Sequence, residues 1–315
     1  MPPAVSIGLP TYNRASLLER AIRSALEQTW ADLELVISDN ASTDDTEAVC
    51  RRWAAQDSRV RYERRERNAG PTDNFNGLFA TCTQAEFTLM LSDDDWLDPD
   101  YVERCLTELR ARPDHAIVAG TPYHWRGEDF VYEGLALQLP QDDPAARVAA
   151  YYASVVDNGT FYGLMRGAAL RAATPMPNVL GNDWLVVGRV VFLGKLLTLR
   201  DTHVHRELGG TSAAVSSIVR SVGGREIESR FPHLFNGGRI YRDIVRGSAV
   251  FAPLGMVRSR LLGLRSALGA IDWPSLAWHA TEPTARSLGS HRGLGWVWRG
   301  YDALTRSMGA GRTPR

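Results

Sequence analysis

The chain has 315 residues, 44% of them hydrophobic and 23% charged. This is an ordinary globular composition with length enough for a sizeable core, which argues against a disordered or fibrous chain. Formal net charge is zero, so bulk electrostatics give no reason to expect a nucleic acid or another polyanion as partner.

The first 120 residues alternate short apolar runs with amphipathic stretches. Residues 5–9 are apolar and stop at Pro10, a strand pattern. Residues 15–28 place Leu17, Leu18, Ala21, Ile22, Ala25 and Leu26 at helical spacing. A second strand is expected over 33–38. A helix follows over 44–56, with Ser42 or Thr43 as its N-cap. A short strand at 60–62, a helix at 73–82, a strand at 87–91, a helix at 99–112 and a strand at 116–120 complete the series. This rhythm predicts an α/β fold, a Rossmann-like, mostly parallel sheet flanked by helices. Past Gly120 the pattern changes. Tyr123, Trp125, Phe130 and Tyr132 fall in a stretch that reads as loop-rich, residues 145–156 and 182–196 read as helices, and 161–165 reads as a strand. After Gly209 the chain is helix-like with glycine breaks. Three regions are expected: 1–120 and 121–215 as the two halves of the main domain, and 216–315 as a helical C-terminal region.

In open parallel sheets, ligands bind beyond the carboxyl ends of the strands. Pro10-Thr11-Tyr12-Asn13, Asp39-Asn40 and Asp93-Asp94-Asp95 each follow an expected strand, so three polar clusters should meet on one rim. The Asp triplet is the sharpest of them. Adjacent carboxylates repel, and a hard divalent cation such as Mn²⁺ or Mg²⁺ would neutralise them while bridging substrate phosphates. A solvated acidic turn ahead of a helix is the bland alternative, since acids favour helix N-termini. Asp39 suits a hydrogen bond to a nucleobase or ribose, and equally an Asx-turn. The sequence has no GxGxxG, no GxxxxGK[ST] and no GxSxG, so dinucleotide, P-loop and hydrolase fingerprints are missing. Cys50, Cys82 and Cys105 form no CxxC pair, which fits a reducing cytoplasm better than disulfides or structural zinc. Cys82 and Cys105 fall in helix-like positions as packing residues. Met1-Pro2-Pro3 has no basic n-region, so no signal peptide is expected. The most apolar stretch, 184–199, contains Arg189 and Lys195, which argues against a membrane span.

Four motifs in order resemble the family 2 glycosyltransferases of the GT-A fold. They are Pro10-Thr11-Tyr12-Asn13-Arg14, then Val36-Ile37-Ser38-Asp39-Asn40-Ala41-Ser42-Thr43-Asp44, then Asn68-Ala69-Gly70, then Leu91-Ser92-Asp93-Asp94-Asp95-Trp96-Leu97. Gly181-Asn182-Asp183-Trp184 and His205-Arg206-Glu207-Leu208-Gly209-Gly210-Thr211-Ser212 extend the match more loosely. The resemblance implies transfer of a sugar from a nucleotide-diphosphate donor to an acceptor hydroxyl, metal-assisted and with inversion. Pro10, Thr11, Tyr12 and Asn13 would line the nucleotide pocket, Asp39 would meet the base, and Asn68 and Gly70 would shape the site. Asp93 and Asp94 match the family's DXD region, although Ser92 stands where the family often has Asp. Asp94, with Asp95 and His205, is implied to hold the metal, His205 (less readily Arg206) lying near the diphosphate. Asp183 aligns with the general base. The Asp39 match favours UDP or dTDP, with GDP compatible; a glycan, glycolipid or natural product is the implied acceptor.

Trp125 and Trp184 are candidates for stacking on an acceptor sugar, although aromatic residues are more often core. From Val250 onward nine Arg face three acids, Asp272, Glu282 and Asp302, a net of +6 against −6 in the remainder. Arg258, Arg260, Arg265, Arg286, Arg292, Arg299 and Arg306 are interleaved there with Trp273, Trp278, Trp296 and Trp298. Such a region suits peripheral contact with the inner face of a membrane, or an ordinary helical cap. Two other functions compete. A nucleotidyltransferase should carry a Gly-rich, basic loop after its first strand, which Pro10-Thr11-Tyr12-Asn13 is not. A non-catalytic sugar-nucleotide-binding module should have lost the triplet or the base.

Overall fold

The computed structural model describes residues 3–156, 158–208 and 215–271, within one compact unit that reaches Ile271. Strands β1 (Val5–Thr11) and β2 (Leu33–Asp39) are buried at almost every position, as parallel strands covered on both faces must be. β1 pairs in parallel with β2 on one side and with β4 (Phe87–Met90) on the other, and β2 pairs with β3 (Val60–Arg64). Helices α1 (Ala15–Leu26), α2 (Thr46–Gln56) and α3 (Pro71–Cys82) make the crossovers. α1 buries Leu18, Ala21, Ile22, Ala25 and Leu26, all within the apolar stripe its spacing selects. The strand order β3-β2-β1-β4 takes the chain outward from β1 and then back to its other side. The carboxyl ends of β1 and β4 therefore flank a topological switch point.

Beyond β4 the sheet is mixed. It continues through β8 (Leu164–Arg166), β6 (His115–Arg126) and β9 (Lys195–Glu207) to β5 (Trp96–Leu97), with β7 (Asp129–Glu133) paired to β6. β6 and β9 run parallel in the longest register of the sheet, while the antiparallel pairings are short. α4 (Tyr101–Ala111) and α1 pack on one face, where Leu18, Ile22, Leu106 and Leu109 meet Ile7 and Leu9. α3, α5 (Pro144–Ser154), α6 (Gly167–Ala173) and α7 (Asn182–Leu193) contribute to the second core cluster, through Phe79, Tyr151, Leu170 and Val187 among others. The C-terminal part of the unit is helical: α8 (Val215–Ser221), α9 (Glu226–Arg230), α10 (Pro232–Arg242) and α11 (Gly255–Gly269). On α7, Arg189 makes a buried two-pronged ion pair with Asp243, Nε at 3.0 Å and Nη2 at 2.6 Å, and its Nη1 donates to the Ala173 and Pro175 carbonyls. Every nitrogen of that guanidinium thereby meets an acceptor after its hydration is lost.

Several expectations change. The stretch from Tyr123 to Tyr132 is the β6–β7 hairpin rather than a loop, turning at Gly127 in the left-handed region. Every residue of β7 is exposed, so no in-and-out alternation marked it in the sequence. The helix expected to reach residue 196 stops at Leu193; Gly194 follows and Lys195 opens β9. α2 begins at Thr46 after Asp45, and Asp44 Oδ1 accepts the Thr46 N–H. Ser42, expected as that cap, serves Asp39 instead. β6 runs through the expected boundary at residue 120, and residues 200–202 bulge out of β9 there, since Leu199 pairs with Gly120 and His203 with Thr121. Gly120 is required at that point. A Cβ on it would lie 2.5 Å from the Thr202 carbonyl oxygen and 2.6 Å from the Tyr101 ring. The Tyr101 hydroxyl, wholly buried, accepts the Gly120 N–H at 3.0 Å and donates to the Tyr162 carbonyl at 2.9 Å. All three cysteines are buried, and burial pushes the Cys50 and Cys82 thiols up to about 12 and Cys105 higher still.

Candidate active site

Three loops at the carboxyl ends of β1, β2 and β3 are knitted together by side chains. Asn13, in the left-handed region, donates its backbone N–H to the Ser42 hydroxyl and accepts the Thr43 N–H on Oδ1. The Asn40 amide donates to Asn68 Oδ1 at 2.9 Å and to the Gly70 carbonyl, and accepts the Ala69 N–H. Asn68 and Gly70 are thus fixed to the end of β2, where Gly70 starts α3. Asp39 is wholly buried. Its Oδ1 accepts the Ser42 N–H and hydroxyl, and its Oδ2 accepts the Tyr62 hydroxyl at 2.8 Å. The bond to the Ser42 amide is a local turn bond of the Asx kind, and the Arg64 guanidinium stands 3.6 Å from Oδ2. Tyr12 is exposed on the rim, whereas Thr11 is buried.

The triplet begins three residues after β4. Burial, reinforced by the neighbouring Asp94, pushes Asp93 up to about 7, against the Thr11 hydroxyl, the Arg14 guanidinium 3.9 Å away and the Tyr12 amide, all of which favour its ionised form. Burial also raises Asp94, opposed by Arg14 and Arg206, and raises Asp95, opposed by Arg206. Asp95 is almost fully buried. Its Oδ1 accepts the Glu207 N–H at 2.9 Å, and its Oδ2 has no hydrogen-bond partner and lies 3.7 Å from Arg206 Nε. Ser92 is within hydrogen-bond distance of the Tyr162 hydroxyl (3.0 Å), and the Arg206 guanidinium sits 4.7 Å above that same ring.

Asp183 lies in the first turn of α7, after Gly181 in the left-handed region (φ 73). A Cβ on Gly181 would meet the Asn236 side chain within 3 Å, a second reason for glycine there. Burial raises Asp183, while the Asn158 amide, the Trp184 N–H and Arg206 favour its ionised form. Asn158 Nδ2 donates to Asp183 Oδ2 at 2.9 Å, and its Oδ1 accepts the Tyr151 hydroxyl at 2.8 Å and the Thr160 hydroxyl at 3.1 Å. Arg206 therefore acts electrostatically on Asp94, Asp95 and Asp183 together. Asn158 escaped the sequence reading. The Asn-Gly pair at 158–159 was the available signal, because Asn tolerates the left-handed conformation that Asn158 adopts (φ 49, ψ 36).

The remaining candidates are disposed differently. His205 has both ring nitrogens engaged: Nδ1 accepts the Trp125 indole N–H at 3.0 Å and Nε2 meets Asp98 Oδ1 at 2.7 Å. Its ring stacks on Trp96, 5.0 Å between centroids and 4° from parallel. With Nδ1 accepting, Nε2 carries the proton, so this arrangement presents no lone pair to a metal. His203 joins the same carboxylate through Nδ1 at 2.7 Å. Burial opposes ionisation of Asp98, yet the bonds from His205 and His203 outweigh it and hold the carboxyl below its usual range. Trp125 is half-buried beside Phe130 and Trp96. Trp184 is only 8% exposed and belongs to the larger core cluster, which leaves little ring face for a sugar. Among the described residues no helix is long and apolar enough to cross a membrane. The Trp-containing stretch from residue 272 lies outside the described residues.

Among the described residues no three His, Cys, Asp or Glu side chains are grouped as a ready metal cage. The donor set nevertheless fits a hard divalent cation that takes most of its ligands from water and phosphate. Carboxylates are crowded at one strand end, burial raises all three, and one buried oxygen of Asp95 lacks a hydrogen bond.

The chain is similar to several known proteins. A chondroitin synthase of Escherichia coli is 40% identical over 108 residues, 34% of this chain and 16% of that protein. A Campylobacter jejuni protein named GalNAc(5)-diNAcBac-PP-undecaprenol beta-1,3-glucosyltransferase is 38% identical over 96 residues, 30% of this chain and 31% of that protein. The chain thus spans under a third of either relative. S. aureus TarS 1-349, solved in complex with UDP, has a TM-score of 0.55 at 14% identity, over 91% of this chain and 92% of that one. A mannosyltransferase from Pyrobaculum calidifontis, in complex with GDP-Man and Mn2+, has a TM-score of 0.50 at 17% identity, over 90% and 80%. Those two likenesses show the fold, the GT-A arrangement expected from the motifs. The model of glycosyl transferase family 2 matches residues 6–170, more than half of the sequence, and the chain belongs to that family.

Proposed function

We propose that the protein is a glycosyltransferase that moves a sugar from a nucleoside-diphosphate donor to an acceptor hydroxyl by a single inverting displacement. The observation that carries this reading is the meeting of the β1 loop with the aspartate triplet at the topological switch point, with Asp183 sharing the field of Arg206. The nucleotide lies against Thr11, Tyr12, Asn13, Asp39, Asn68 and Gly70, and Asp93 and Asp94 face its ribose and diphosphate. A pyrimidine base, as in UDP or dTDP, suits Asp39, whose Oδ2 would accept its imide N–H by displacing the Tyr62 hydroxyl from that buried carboxylate; GDP is compatible with the same fold. Asp94, with Asp95 behind it, would hold Mn²⁺ or Mg²⁺. When bound, the ion supplies Lewis-acid stabilisation of the departing diphosphate, worth several kcal/mol in such sites.

The chain's own residues do the rest. Arg206 and Arg14 add positive charge where the leaving group accumulates negative charge. Asp183, held by Asn158, takes the proton from the acceptor oxygen as that oxygen attacks the anomeric carbon. Burial raises its affinity for that proton and so makes it a stronger base. The acceptor is a glycan or glycolipid hydroxyl, with Trp125 at the rim as a stacking surface, and the C-terminal region makes peripheral membrane contact.

Calorimetry with UDP-, dTDP- and GDP-sugars, with Mn²⁺ and with EDTA, tests the donor site. The expected result is metal-dependent binding of one nucleotide class that Asp94→Ala abolishes. Near-normal affinity of Asp94→Ala in Mn²⁺ would remove Asp94 from the metal site, and no binding of any donor would sink the reading.

A further inference from the structure

Helix α11 is built inside out. Its buried positions are Ser259, Leu262, Gly263 and Ser266, three of them small or polar, while Met256, Val257, Leu261, Leu264 and Leu268 are between 45% and 67% exposed. The small residues let neighbouring helices come close: a Cβ on Gly263 would lie 3.1 Å from Tyr241 and from Val245. At about 100° per residue, Val257, Leu261, Leu264 and Leu268 fall within about 60° of arc, directly opposite the buried side. Arg260 borders this stripe on one flank, and Arg258 and Arg265 on the other. Arg258 stands 3.8 Å from Asp143, both exposed. Between Gly255 and Gly269 the helix has no acidic residue. Surface leucines occurring singly need no explanation, but an aligned aliphatic row does.

We propose that the outward face of α11 docks on an anionic lipid surface, the aliphatic row entering the acyl boundary and the arginines meeting lipid phosphates. The charge pattern selects this occupant. A convex single-helix ridge edged by arginines complements a negative, deformable surface. A second copy of the chain at a two-fold interface would set the same arginines against one another. The placement also suits the reaction, since a Cβ on Gly269 would lie 3.4 Å from Ala153 on α5, the helix that leads to Asn158 and hence to Asp183. The inference deepens the membrane contact proposed above for the C-terminal region and does not depend on the transfer chemistry.

The test is co-sedimentation of the full chain with phosphatidylcholine vesicles, with and without phosphatidylglycerol. Binding is expected to the anionic vesicles and to weaken with salt. Leu261→Ser with Leu264→Ser lowers the partition coefficient at least about tenfold, with an unchanged thermal melt because both side chains are exposed. Arg260→Gln with Arg265→Gln lowers it about fivefold per charge on anionic vesicles alone. No pelleting of the wild type overturns the proposal. So does equal pelleting of the leucine variant, which would assign lipid binding elsewhere. Light scattering that shows a dimer, broken by the leucine variant, would give the face to a second copy and overturn it as well.

Discussion

Replacing Asn158 by alanine separates folding from chemistry at the proposed base. Asn158 is 3% exposed and sits at φ 49, ψ 36, with three side-chain hydrogen bonds. Alanine there costs about 1 kcal/mol for the left-handed backbone. It also removes the bonds that the Tyr151 and Thr160 hydroxyls make to Asn158 Oδ1, at about 0.5–1.5 kcal/mol each. A total loss of about 2–4 kcal/mol should appear as a lower urea midpoint with an unchanged slope. Catalysis should respond differently. Loss of the Asn158 N–H removes a bond that favours ionised Asp183, so its pKa, already raised by burial, climbs further. A base works when deprotonated, so the acid limb of kcat/KM moves to higher pH, and kcat on the plateau falls because the carboxylate is less well held. The folding linkage has a matching sign. A carboxyl with a raised folded pKa loses stability as pH climbs from the usual carboxylate range toward that pKa, and the variant widens this window. Asn158→Asp is the control. It tolerates the left-handed backbone and can still accept from Tyr151 and Thr160, but it sets a second carboxyl against Asp183. It should keep those two bonds, lose stability as pH rises, and shift the limb further. An acid limb that stays in place in both variants would refute the role given to Asp183, whatever happens to stability.

Other expectations follow from the same coordinates. Asp183→Asn should leave donor affinity intact and reduce transfer about 10²–10⁴-fold, and retained turnover would move the base elsewhere. Gly120→Ala drives a methyl into the Thr202 carbonyl and the Tyr101 ring. It should cost about 1–3 kcal/mol, read from urea unfolding, and an unchanged midpoint would mean that the β9 bulge relaxes freely. Arg189→Met leaves Asp243 buried without its ion pair and should cost about 3–5 kcal/mol. Adding Asp243→Leu should restore part of that loss, and a purely additive double variant would deny the coupling.

The first 120 residues were legible in the sequence because each buried strand there ends abruptly at a polar cluster. Val5 to Leu9 before Pro10, Leu35 to Ile37 before Asp39 and Phe87 to Leu91 before the triplet set both register and rim. The second half was less legible. β7 has no buried side to impose alternation, and β9 follows α7 after a single glycine and is then broken by a bulge. The environments of individual side chains were harder still. Nothing in the order of residues states that the His205 nitrogens are claimed by Trp125 and Asp98, from strands distant in the chain. Nor does it state that Trp184 turns into the core while Asp183 beside it meets Asn158. Such contacts depend on the crossing of β6, β9 and the turn after α5, which local patterns do not encode.

The buried cysteines make this chain convenient to label. The sequence has three thiols in all. Each is enclosed by the core and held protonated far above neutral pH, and the thiolate is the form that reacts. A maleimide added to the native protein should find almost nothing to modify. A single substitution such as Leu264→Cys on the outer face of α11 then gives one addressable position without first stripping the native sulfurs, which belong to the two core clusters. A polarity-sensitive dye there could follow α11 in real time, while the catalytic rim remains chemically untouched.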